Sequence, residues 1–258
     1  MEYQHIQQVL IDAEAQRQAV GPVSDLVPGG LTLEAAHAIC EANMAKRYAA
    51  GEKLAGYKVG FTNIAVREKM GLPDSTYGYL TDRMVLANYG EFVMSELIAP
   101  KLECEICLRL KQDLTGAGLT IEQVLAATDA VVAAYEICDA RIRDWKCPYP
   151  DFFADNGFSA RIVLGDTWLK ADQLDLLTES VVFAQDGQVL AEGKGQNALG
   201  HPAKAVAWLA AKLAERGLGL KAGQLIMTGT LMPITPIQRG SVYTAAYTNL
   251  GGLQKYFV

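Results

Sequence analysis

Residues 101–110 read KLECEICLRL. The even positions Leu102, Cys104, Ile106, Leu108 and Leu110 are apolar. The odd positions Lys101, Glu103, Glu105 and Arg109 are charged, with Cys107 the exception. Alternation sustained over ten residues predicts a strand with one face in the core. Glu103 and Glu105 then project from the same face, their Cα atoms about 6.7 Å apart. Spacing alone leaves two readings open: a solvated face of mixed charge, or two carboxylate arms converging on one cation. Cys104 and Cys107 form a C-x-x-C, but a strand sends them to opposite faces. A redox pair belongs at a helix N-terminus, and no second C-x-x-C or His pair completes a zinc site.

On either side of this stretch the chain alternates short apolar runs with turn residues. Runs at 54–60, 84–87, 102–110, 130–138, 160–165, 180–184, 224–228 and 242–247 predict strands. Asp186-Gly187 between VVFAQ and QVLAE predicts a tight hairpin. Helical spacing recurs at 63–70, 121–127 and 202–216, the last closed by Gly217. Before residue 53 the pattern is helical. Ile6, Val9, Leu10 and Ala13 mark a helix within 2–19, and Thr32 heads a second one that runs to about Ala49 and stops at Gly51. The prediction is an α+β fold: a helical N-terminal subdomain, 1–52, and a larger domain, 53–258, built on a curved, mostly antiparallel sheet.

Composition narrows the function classes. Of 258 residues, 50% are apolar and 20% charged, with a formal charge of −6. Disorder is excluded, and the basic stripe that nucleic acid requires is missing. No window approaches the length of a membrane span, so no membrane association is expected. MEYQHIQQVL at the start lacks the pattern of a secretory signal. Cys40, Cys104, Cys107, Cys138 and Cys147 lack a disulfide-framework spacing, which predicts free thiols and a cytoplasmic setting.

Two further residues stand out. Lys58, in Gly56-Tyr57-Lys58-Val59-Gly60, is a lysine inside a short apolar strand, where snorkelling at a sheet edge is one explanation. Glu136, in AAYEICDARIRDW, is a carboxylate inside an apolar run, an uncomfortable place without a partner. His201 precedes Pro202 at a predicted helix start, where capping is one role open to it. No G-x-S-x-G is present, and Gly193-Lys194-Gly195 does not extend to a dinucleotide fingerprint.

GYKVGFTN (56–63), YGYLTDRM (77–84), PKLECEI (100–106), YEICDARIRDWK (135–146), FADN (153–156), LGHPAKAVAWLA (199–210) and the close of the chain from LKAGQLIMTG onward occur in one order. Together they resemble the fumarylacetoacetate hydrolase superfamily, specifically its hydratase/decarboxylase branch. That branch holds 2-keto-4-pentenoate hydratases and 4-oxalocrotonate decarboxylases of aromatic meta-cleavage pathways. The resemblance covers about residue 2 to the C-terminus. It implies a mixed β-roll-like core and Mg²⁺ or Mn²⁺ as cofactor. The family's E-x-E pair falls on Glu103 and Glu105, its third metal carboxylate on Glu136, and its active-site lysine on Lys58.

By this resemblance the metal serves as a Lewis acid toward the C2 oxygen of a 2-oxo or 2-hydroxydienoate acid. Three glutamates and one doubly charged ion leave one negative charge, which Lys58 offsets. Lys58 is also the acid/base candidate, on condition that burial lowers its pKa. A hydratase then adds water at C4, whereas a decarboxylase releases the distal carboxylate as CO₂. Two departures bear on this choice. Where family hydratases resemble P-D-[FY]-G, this chain has Ser75-Thr76-Tyr77-Gly78, which puts Thr76 at the acidic position and leaves Asp74 or Asp82 to supply a carboxylate. Where the family has A-D-N-A-S, Asp155 and Asn156 are kept but Phe158 replaces a small residue, with Phe152 and Phe153 upstream, implying a more aromatic pocket. Thr76, Asp82, Asp155 and Phe158 are thus the expected substrate-side residues. Leu231-Met232-Pro233 resembles the hydratases, so hydration is the leading expectation and decarboxylation the alternative. An acylpyruvase-like hydrolase, with Glu34 and His37 as a dyad, and a non-catalytic partner subunit are the remaining ones. A homo-oligomer, in a complex with a sister pathway enzyme in some family members, is also implied.

Overall fold

The computed structural model describes residues 3–258. Residue 2, where the first helix was expected to begin, lies outside them. The chain runs α1 (Gln4–Gln16), α2 (Leu33–Ala49), β1 (Leu54–Gly60), α3 (Ile64–Lys69), β2 (Thr76–Thr81), β3 (Val85–Ala87), β4 (Glu91–Phe92) and β5 (Lys101–Leu110). It continues through α4 (Ile121–Ala126), β6 (Thr128–Cys138), α5 (Tyr149–Ala154), β7 (Ser159–Leu164), β8 (Ser180–Gln185), β9 (Gln188–Lys194), α6 (Pro202–Ala214), β10 (Leu225–Met227), β11 (Thr235–Pro236), β12 (Ser241–Tyr247) and β13 (Gly252–Phe257).

Two mixed sheets form the core, as the α+β prediction requires. One has the order β2-β1-β10-β5-β6-β7-β3, with β11 also on β5; the other has the order β4-β13-β12-β8-β9. Among the described residues, the strand pairs β1–β10, β3–β7 and β4–β13 are parallel and the other strand pairs antiparallel. Asp186 and Gly187 both take positive φ, 50° and 84°, as a two-residue hairpin between β8 and β9 needs. Thr32 caps α2 by accepting the Ala35 N–H, and His201 caps α6 through Nδ1, which accepts the Ala203 N–H.

Strand β5 lies between β10 and β6 near the middle of its sheet. Its even face joins the main core: Leu102, Cys104, Ile106, Leu108 and Leu110 pack there with Ile6, Leu10 and Ile39 of the N-terminal helices. Each such side chain contributes about 1.5–3 kcal/mol by leaving water. Of the two readings that spacing left open for the odd face, the structure does not show a solvated one. Glu105 and Cys107 are fully buried and Glu103 only partly exposed, and Cys107 packs there with Leu80, Met84, Val132 and Met227. The α1 and α2 side chains share one continuous core with the strands.

Five elements carry no clear sequence signal: the two-residue strands β4 and β11, and β2, β13 and α5. All six positions of β2 are buried, so it has no polar face to alternate with. Strand β13 hides its pattern behind Lys255, a buried lysine whose Nζ donates to the Ala87 and Tyr89 carbonyls. Helix α5 spans only six residues. Among the described residues, no helix is long and apolar enough to cross a membrane.

Candidate metal and substrate site

Register builds the site. On the β5–β6 ladder, Glu103 stands directly opposite Glu136 and Glu105 opposite Ala134. Cys138 follows Glu136 by two residues, so strand alternation sends it to the same face. Across the next row, Lys58 on β1 pairs with Met227 on β10, and Met227 with Cys107 on β5. Beneath the polar groups this face is apolar: Leu80, Met84, Cys107, Val132, Ala134, Ile162 and Met227 form a cluster of their own. From the other side of the sheet, the Tyr247 hydroxyl donates to the carbonyl of Glu105 (2.8 Å) and lies 3.3 Å from that of Ala134, fixing the two strands.

Lys58 is 4% exposed, and its Nζ lies 3.2 Å from Glu136 Oε1. This is an ion-pair distance without hydrogen-bond alignment, and both Glu136 oxygens have no hydrogen-bond partner. Glu105 Oε2 accepts the Gly229 N–H at 2.7 Å, while its Oε1 is unpartnered. Gly229 is required here: its φ is +102°, and a Cβ would fall 2.0 Å from Thr62 Oγ1. The Cys138 thiol lies 3.6 Å from Glu103 Oε2.

Burial, reinforced by Glu136, pushes the Glu103 carboxyl up to about 7. Burial, with Glu136 and Glu103, raises Glu105 well above the usual carboxylate range. Burial alone would lower Lys58, but the carboxylate of Glu136 and those beside it outweigh it and hold the lysine above its ordinary value. The expected lowering is therefore corrected: the carboxylates that make the site raise the pKa of its lysine. A cation that neutralised them would remove that pull.

The donor set fits a divalent ion. Orphaned carboxylate oxygens in a buried site cost several kcal/mol unless something positive meets them. The ligand atoms of Glu103, Glu136 and Cys138 lie within 4.8 Å of one another. Glu105 is the neighbour of this group rather than a member, its side chain being drawn to Gly229.

The substrate-side expectations divide. Thr76 is buried opposite Gly60, and a Cβ on Gly60 would lie 2.8 Å from Thr76 Oγ1 and 3.4 Å from Lys58 Nζ. Thr76 and Lys58 therefore converge over one glycine. Asp82 does not join them. It is exposed at the far end of the β1–β2 pair, where it accepts the Lys53 and Arg83 N–H groups as a turn residue. Asp74 is likewise engaged elsewhere, with Trp208 Nε1 and Lys212 of α6. Asp155 is buried but committed to Arg141, whose backbone N–H and Nε both donate to it. It lines a cleft against Leu10, Glu14 and Arg47 instead of the acid face. Phe158 is buried in an aromatic row: its ring meets Trp145 edge-on and Phe152 at a tilt, and Phe152 reaches Phe61, the residue after Gly60. His37 sits between Tyr77 and Phe153, and Tyr77 points to the opposite face of β2 from Thr76, so the Glu34–His37 dyad has no place at this site.

Sequence reasoning passed over Thr62, whose buried hydroxyl is unpartnered beside Gly229, and Asn156, whose amide pairs with both the N–H and the carbonyl of Tyr79 on edge strand β2. It also set Cys138 aside with the other thiols, although its spacing from Glu136 was readable.

Residues 55–258 match the fumarylacetoacetate (FAA) hydrolase C-terminal family. A 2-keto-4-pentenoate hydratase of Paraburkholderia phymatum is 36% identical over 249 residues, covering 96% of this chain and 94% of that protein. A 4-oxalocrotonate decarboxylase of Pseudomonas sp. (strain CF600) is 38% identical over 213 residues, covering 83% and 81%. Among solved structures, the 4-oxalocrotonate decarboxylase from Pseudomonas putida G7, complexed with magnesium and adipate, superposes with a TM-score of 0.95 at 33% identity, over 98% of this chain and 96% of that one. With its E-x-E strand paired to Glu136 and its lysine beside them, the chain belongs to the fumarylacetoacetate hydrolase family.

Proposed function

We propose that this protein is a metal-dependent lyase that hydrates a 2-hydroxy-2,4-dienoate, of the 2-keto-4-pentenoate kind, to a 4-hydroxy-2-oxo acid. The single observation that carries this reading is the pairing of Glu103 with Glu136 beside Lys58, with both Glu136 oxygens unpartnered. Glu103, Glu105 and Glu136 would hold a divalent ion, Mg²⁺ or Mn²⁺, whose chemistry when bound is Lewis acidity toward the substrate's C2 oxygen. The hydratase relatives support the substrate class, and the magnesium-bound neighbour supports the ion.

The chain's own groups do the rest. Lys58 Nζ holds a proton next to Glu136 and, with the burial around it, carries the positive charge that an acidic substrate needs. With the carboxylates neutralised by the ion, the pull that raises Lys58 would be removed, and from there it would give up or take back a proton at the substrate, a step worth about 10²–10⁴ in rate. The Thr76 hydroxyl, converging on Lys58, is placed to orient a water. The apolar floor and the Phe61–Phe152–Phe158 row exclude bulk solvent and pack an unsaturated chain. The five free thiols accord with a cytoplasmic enzyme.

Decarboxylation of 4-oxalocrotonate is the second reading. It is favoured by Thr76 standing where the hydratases of the family resemblance carry an acid. Purified protein assayed on 2-hydroxypenta-2,4-dienoate and on 4-oxalocrotonate, with Mg²⁺ and with chelator, separates the two. Metal-dependent hydration of the dienoate is the expected result. CO₂ release from 4-oxalocrotonate alone moves the assignment to the second reading, and turnover of neither substrate overturns both.

A further inference from the structure

The acid face carries one donor that an all-oxygen site does not use. Glu136 and Cys138 are two residues apart on β6, and the strand turns both toward Glu103. Cys138 is 2% exposed, its sulfur is 3.6 Å from Glu103 Oε2, and the ligand atoms of Glu103, Glu136 and Cys138 fall within 4.8 Å of one another. Both oxygens of the fully buried Glu136 lack a hydrogen-bond partner. The other sulfurs are differently placed: Cys104 belongs to the main core on the opposite face, and Cys107 lies in the apolar floor.

We infer that Cys138 is a metal-ligating thiol, and that Glu103, Glu136 and Cys138 together take a thiophilic divalent ion such as Zn²⁺, Co²⁺ or Cd²⁺. The inference rests on reading the acid face as a cation site, and it deepens that reading. Two ligand sets overlap on Glu103 and Glu136. A hard ion is served by adding Glu105, and a softer one by adding the sulfur of Cys138. Because the sets share two carboxylates, the two kinds of ion exclude one another. On coordination the thiol proton is released to solvent and the sulfur lone pair forms the new bond; no oxidant is involved. The site would then be subject to capture by a soft metal.

The test uses the full-length protein stripped of metal. Titration with Co²⁺ is expected to give a sulfur-to-metal charge-transfer band that saturates at one ion per chain. The band is expected to vanish in Cys138→Ser and to persist in Cys147→Ser. Cd²⁺ affinity is expected to fall by about tenfold or more in Cys138→Ser, with Mg²⁺ affinity, measured by calorimetry, unchanged. X-ray absorption at the zinc edge of the wild-type protein needs no variant, and is expected to show one sulfur neighbour at about 2.3 Å. Normal Mg²⁺ binding without a sulfur band, or with a band that survives Cys138→Ser, overturns the role of Cys138 alone. Failure of every divalent ion to bind the wild-type protein overturns the cation-site reading beneath it.

Discussion

Among the described residues, six carboxylates are buried, and they fall into two groups. Asp139, Asp151, Asp155 and Glu179 are satisfied at both oxygens. Asp139 accepts the Ile98 and Ala99 N–H groups, Asp151 is held by the Ser24 hydroxyl and N–H, Asp155 by Arg141, and Glu179 by Asn249 and Leu250. Glu105 and Glu136 are not: one oxygen of the first and both of the second go without a hydrogen bond. The satisfied acids staple loops to strands, and nothing remains on them for a ligand. The unsatisfied pair stands on neighbouring strands with the buried Lys58 beside Glu136. A buried charge that the fold has neutralised is architecture, whereas one that it has left waiting is chemistry.

The difference can be tested by substitution. Lys58→Met should produce the largest change, a fall in turnover of about 10²–10⁴, with Mg²⁺ still bound in calorimetry. Near-normal turnover would remove Lys58 from the proton chemistry. Asp155→Asn leaves Arg141 charged and buried without its partner, and should cost about 3–5 kcal/mol of stability in denaturant unfolding. Mg²⁺ affinity of the folded protein should not change; if it falls, Asp155 belongs to the site after all. Glu179→Gln keeps the shape but sets an amide against backbone donors, at a cost of about 1–3 kcal/mol on the same measurement. Glu105→Gln should have the smallest effect on metal-free stability, less than about 1 kcal/mol or a slight gain, because the carbonyl oxygen still accepts from Gly229. The same variant should bind Mg²⁺ more weakly. A stability loss equal to that of Glu179→Gln would place Glu105 with the architectural acids.

The legible parts of the site were those written in alternation. KLECEICLRL gave away a strand and the common face of Glu103 and Glu105, and Cys138 shares that legibility, being two residues beyond Glu136. Asp82 and Asp155 misled for a common reason. A carboxylate in a motif looks alike whether a turn, an arginine or a substrate takes it, and only its hydrogen bonds distinguish these. Thr62 gave no signal at all, since its isolation depends on a close approach to Gly229, more than 160 positions away. Lys58 stood out in the sequence, but the direction of its pKa did not, because that sign depends on the carboxylates that surround it.

The sequence by itself determined the strand and helix periods, the caps of α2 and α6, the β8–β9 hairpin and the residue types available for catalysis. These are local properties, set by backbone geometry and side-chain pattern within a few positions. Tertiary structure alone decided that the second face of β5 would be buried, that Glu136 would stand opposite Glu103, and that β10 would bring Lys58 into the same sheet. Those outcomes depend on pairing between strands remote in the chain, and no local pattern encodes which remote partner closes over a charge.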